Sequence, residues 1–173
     1  MFEVPNPLHP AIVHFPIVLT FLGTVLALFS IITRRLCLPL YAALILVLAA
    51  IGAQVAVMTG GAQDSLFATL SQDQKALVGE HADWGENGRT ALMVAAALSL
   101  IGLALHRFGR SRRLFAVLTT LAGCVACFFV FRTAQLGGHL VFQHGIGVQP
   151  TTSPTEAPSA TPAGNPSPSA TPQ

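Results

Sequence analysis

Apolar residues run along this chain in four long blocks with no polar alternation. Crossing the hydrocarbon core as a helix takes about 20 apolar residues, and the blocks at residues 11–33, 38–60, 86–106 and 113–136 are each of that length. Runs this long predict spanning helices, because a lone strand would leave its backbone groups unsatisfied in lipid. The third has its apolar core at Thr90–Leu105, yet Ser71-Gln72-Asp73-Gln74 has the form of a capping box and no proline intervenes before Leu105. The pattern therefore predicts one long helix whose first turns stand above the membrane surface. The fold class expected is all-α, an integral membrane four-helix bundle. After Gln149 the pattern stops. The segment PTTSPTEAPSATPAGNPSPSATPQ carries one charge and no large apolar residue, so the expected division is a transmembrane domain over 1–148 and a disordered tail over 149–173.

Composition sharpens this. Of 173 residues, 52% are hydrophobic and only 9% charged, against about 25% charged in soluble domains. The formal net charge of +2, with no basic stripe, excludes a nucleic-acid partner. The N-terminal segment has no Lys or Arg ahead of its apolar run, so it does not read as a signal peptide and the first span is expected to remain in the mature protein. The bilayer is the first partner.

Charge distribution predicts an orientation. Arg34 and Arg35 lie between the first two spans, and Arg107, Arg110, Arg112 and Arg113 between the last two. Lys75, Arg89, Arg132 and all the acidic residues fall on or toward the other side. The positive-inside rule makes the arginine loops cytoplasmic and both termini external, in a cytoplasmic-type membrane.

That topology sorts the histidines. Of six, only His106 falls at the cytoplasmic end, while His9, His14, His81, His139 and His144 gather at the external end on three chain segments. Imidazole ligates metals and haem iron, and helix bundles build such sites from facing helices. His14 stands inside an apolar stretch, with Pro16 unable to bond back to the carbonyl of residue 12. His9 and His14 are five residues apart, as are His139 and His144. Five residues turn a helix by roughly 140°, so ligands would have to be shared between segments, as His14 with His81 or His81 with His139. Haem b and a transition metal are the candidate cofactors. Arg89 and Arg132 are placed to neutralise a carboxylate such as Glu80 or a haem propionate, or to snorkel. Trp84 reads as an interfacial anchor. Gly137-Gly138 reads as a helix stop and Gly145-x-Gly147 as a tight turn. Cys124-x-x-Cys127 lies mid-helix, where small residues ordinarily assist packing.

LHPAIVHFPIVL at 8–19 and LGGHLVFQHGIGV at 136–148 together resemble the two ends of the bacterial membrane-protein family catalogued as domain of unknown function 2231. TGGAQD at 59–64 and Glu80-His81 resemble its intervening motifs. Phe142 stands where that family commonly has Tyr. The resemblance supports a four-helix membrane fold and the outer histidines, and supplies no reaction.

Two functions remain open on sequence grounds. One is a membrane redox module with haem b or a metal at the outer histidines. The other is a non-enzymatic subunit or scaffold that docks a redox or membrane-complex protein there. Transport is disfavoured by spans with little charge and no inverted repeat. Hydrolysis is disfavoured by the lack of a nucleophile elbow, zincin motif or phosphate loop. A stand-alone enzyme is not expected.

Overall fold

The computed structural model describes residues 8–33, 35–62, 64–106 and 108–148. Arg34, Gln63, Arg107 and the 149–173 segment read as a disordered tail lie outside the described residues. The helices are α1 (His9–Ile12), α2 (His14–Ile32), α3 (Cys37–Gly61), α4 (Asp64–Thr69), α5 (Gln72–Ala104) and α6 (Gly109–Phe142). Among the described residues there is no strand. Four helices are long and apolar enough to cross a membrane: α1 and α2 together, α3, α5 and α6.

The helices pack around a ring in the order α2, α3, α5, α6, with α6 closing back on α2. Close approaches fix an antiparallel register along each seam. Between α2 and α3, Gly23 faces Leu46 and Gly52 faces Pro16. Between α5 and α6, Gly102 faces Phe115, Gly88 faces Phe129 and Gly85 faces Thr133. One end of the bundle thus carries the histidine-rich segments, and the other carries the arginine-bearing turns.

The interior is built from small residues. Ala43, Ala49, Ala53, Ala95 and Ala126 are buried, with Leu46 and Leu92 as the large side chains at their centre. Phe15, Val18, Phe21, Leu44, Ile51, Phe128 and Phe131 point outward. This inversion of the soluble pattern follows from the solvent. Lipid tails are as apolar as leucine, so burial gains nothing there, and close backbone packing between small residues holds the helices together. Gly123 shows the limit of that closeness: a Cβ there would lie 2.5 Å from the Thr24 hydroxyl.

Local chemistry sets the helix ends. The capping box forms as read: the Gln74 backbone N–H donates to Ser71 Oγ at 3.3 Å and the Ser71 N–H donates to Gln74 Oε1 at 3.0 Å. Helix α5 then runs unbroken for 33 residues. At the chain's first span the helix is interrupted at Val13, between α1 and α2. Pro16 lacks the N–H that would bond to Ile12, so the ladder loses a rung there.

At the last helix the structure corrects the reading of Gly137-Gly138 as a stop. Helix α6 continues through both glycines to Phe142. The turn comes at Gly145 and Gly147, which take φ of +63° and +81°. Those left-handed values are what glycine supplies at a helix terminus. Gly137 has a different use, against a histidine.

The histidine pair at one end of the bundle

Two of the five grouped histidines come together. His9, on the short α1, and His81, two turns into α5, have ring centroids 6.3 Å apart and planes at 88°. Each is half-buried and tied to a helix it does not belong to. His9 Nδ1 lies 2.8 Å from the carbonyl of Ala56 on α3, and His81 Nδ1 lies 3.0 Å from the carbonyl of Thr133 on α6. A carbonyl only accepts, so both Nδ1 atoms carry the proton and donate. In a neutral imidazole this leaves Nε2 with its lone pair free.

Glycines make room for both rings. A Cβ at Gly60 would meet the His9 ring at 3.1 Å, and one at Gly137 would meet the His81 ring at 3.1 Å. The Thr59 hydroxyl, 3.4 Å from His9 Nδ1, completes the nearest polar surroundings. Four segments therefore converge on the pair: α1, the end of α3, the start of α5 and the end of α6.

Residues 5–150 match the family model described as "Predicted membrane protein (DUF2231)". The chain belongs to the DUF2231 family. No curated protein and no solved structure matches it. The histidine pair of this DUF2231 chain is formed by the first histidine of the opening motif and the histidine of Glu80-His81.

The other site residues read from the sequence lie elsewhere. His14 is exposed, and its Nδ1 donates to the Pro10 carbonyl on its own helix at 2.9 Å. His139, inside α6, and His144, beyond it, are both exposed, and so is Glu80. His9 faces α3 from α1, while His14, beyond the interruption at Val13, opens α2 and is turned outward. His106 lies at the opposite end, its Nδ1 buried without a partner. Among the described residues no three His, Cys, Asp or Glu side chains converge into a ligand group.

The two arginines also find partners other than carboxylates. Arg89 is half-buried, and its Nη1 donates to Gln54 Oε1 at 3.4 Å, while its Nε is buried and unpaired. Arg132 donates to Gln135 at 2.7 Å and lies 5.3 Å from the centre of the Trp84 ring. Trp84 packs edge-on to Phe128 and against Phe129, so it joins α5 to α6.

Gly60, Gly137 and the carbonyls of Ala56 and Thr133 escaped sequence reasoning. The glycines were visible in TGG and LGG, yet a glycine's reason for being small is the neighbour it faces. A carbonyl has no sequence signal at all.

Proposed function

We propose that this DUF2231 chain is a membrane metal-binding module, with a transition-metal ion ligated by Nε2 of His9 and of His81. One observation carries the reading: each imidazole is anchored through Nδ1–H to a backbone carbonyl on a neighbouring helix. That second bond fixes the tautomer and ring orientation of a metal-ligating histidine and leaves Nε2 as the donor. The separation is suitable. With the two rings on opposite sides of the ion, two metal–nitrogen bonds of about 2.0–2.1 Å plus a ring radius at each end span about 6 Å, and the centroids are 6.3 Å apart. Two protein ligands leave coordination positions for water, a substrate or a redox partner, as catalytic and electron-transfer sites require. Haem iron held by the same two nitrogens is the other form of this centre.

The proposal includes a direction. With the arginine turns in the cytoplasm, the pair sits at the external face of a cytoplasmic-type membrane.

Purified full-length protein from metal- and haem-replete cells should carry about one metal ion per chain by elemental analysis. A Soret band would identify haem iron, and its absence with bound metal a bare ion. His9→Ala and His81→Ala should each lose the metal, whereas His14→Ala, His139→Ala and His144→Ala should keep it. A colourless, metal-free preparation sinks the proposal, and so does metal retained by the His9→Ala/His81→Ala double variant. A protease-sensitive tag after residue 173, cleaved on intact cells, checks the orientation independently.

A further inference from the structure

At the opposite end of the bundle, all four long helices surround a small cavity. Its polar lining is Ser30 of α2, Ser99 of α5, and Arg112 and Thr119 of α6, with Gly102 and Phe115 among its apolar walls. The space is about 20 Å³ and partly open, enough for one atom the size of a water oxygen.

Arg112 is only 6% exposed although it is a full charge. Its Nη1 donates to the carbonyls of Ser30 at 2.9 Å and Thr33 at 2.8 Å. These are among the last carbonyls of α2, which lack partners within the helix and carry the negative end of its dipole. Nε and Nη2 make no hydrogen bond among the described residues.

The helix end offsets part of the charge, and among the described residues no carboxylate pairs with the rest. The chain's seven Asp and Glu residues are Glu3, Asp64, Asp73, Glu80, Asp83, Glu86 and Glu156. None falls in α2, α3 or α6, and those in α5 lie in its first half, near the histidine end. A second group is also unanswered. Thr119, 3% exposed, has its Oγ1 buried without a hydrogen-bond partner. Neither serine bonds to it: Ser30 donates to Ala27 and Ser99 to Ala96 within their own helices, and the Thr119 hydroxyl has no partner. The cavity thus joins an incompletely neutralised guanidinium to a free hydroxyl donor, and its size admits one anionic atom.

We propose that this cavity is an anion site for the phosphate class, in which one phosphate oxygen is held by the free N–H groups of Arg112 and the hydroxyl of Thr119. Arginine matches phosphate geometry with its planar fork of donors. A net-anionic phospholipid headgroup at the membrane surface and inorganic phosphate from solution both present such an oxygen, whereas in phosphatidylcholine the choline cation offsets its charge. Basic pockets between membrane helices are a known setting for anionic headgroups.

The test is thermal unfolding of delipidated full-length protein in detergent, titrated with phosphatidylglycerol, phosphatidylcholine or inorganic phosphate. A ligand bound only by the folded state raises the midpoint in proportion to its saturation. Phosphatidylglycerol acting well below the phosphatidylcholine concentration identifies the lipid source, and a saturable rise with inorganic phosphate identifies the free one. Thr119→Val keeps the Arg112 cap and the side-chain volume, and it should raise the half-saturating concentration about tenfold. Thr119→Ser should restore it. Arg112→Gln should abolish the response if it folds. The proposal is overturned if neither phosphatidylglycerol nor phosphate exceeds the phosphatidylcholine control, or if Thr119→Val titrates like the wild type.

Discussion

The two ends of this bundle solve the problem of a polar group near lipid in opposite ways. At the histidine end, two imidazole rings each donate one bond to a backbone carbonyl and lie half-buried against glycines. Polarity there is held near the surface, and Nε2 is left available. At the arginine end, a permanent charge is sunk to 6% exposure and fastened to the end of a neighbouring helix. An imidazole can be neutral and needs little compensation. A guanidinium cannot lose its charge, so it must be answered by a dipole, an anion or both. The first end reads as a site whose chemistry can change, and the second as a structural clamp with a ligand-sized gap beside it.

The largest expected effect is on the clamp. Arg112→Ala removes two charge-assisted bonds and orphans two carbonyls, and should cost about 2–4 kcal/mol in reversible unfolding in mixed micelles. The histidine end should be softer. His81→Ala loses one neutral hydrogen bond and should cost about 0.5–1.5 kcal/mol in the metal-free protein. If His81→Ala destabilises the apoprotein more than Arg112→Ala does, the contrast between clamp and site is wrong. Smaller again is Gly138→Ala, one residue from the cradle. A Cβ there meets nothing within 4 Å, and alanine should add about 0.5–1 kcal/mol of helix stability. Gly137→Ala, pressed at 3.1 Å against the His81 ring, should gain less than Gly138→Ala and weaken metal retention. Equal behaviour of the two glycines in unfolding and in metal content would show that the cradle does not position the ring.

Much of this was legible in the chain. The four spans follow from apolar length alone, since a helix in lipid must satisfy its own backbone and needs no partner to be recognised. The Ser71–Gln74 cap was readable because both of its bonds are local in sequence. The gathering of histidines at one end followed from helix count and parity. Which histidines meet did not. His14, inside an apolar stretch, was the more conspicuous residue, yet it is exposed, and His9 makes the contact. Choosing between them requires the rotation of α1 and α2 about their axes, and a run that is apolar on every side does not encode a rotation. Arg112 carried the same ambiguity. In the sequence it was one more positive charge in a turn, and only the packing of α6 against α2 brings it to the carbonyls of Ser30 and Thr33.

The sequence by itself determined which four stretches are long and apolar enough to cross a membrane, where the third of these helices is capped and which residue types lie at each end. Those properties depend on hydropathy and on bonds between near neighbours. Tertiary structure alone decided that Gly137 lies inside a helix, that Gly60 and Gly137 face imidazoles, and that among the described arginines Arg112 is the buried one. Each of these depends on which face of one helix meets which face of another. In a membrane that choice is set by close packing of small side chains rather than by a hydrophobic stripe.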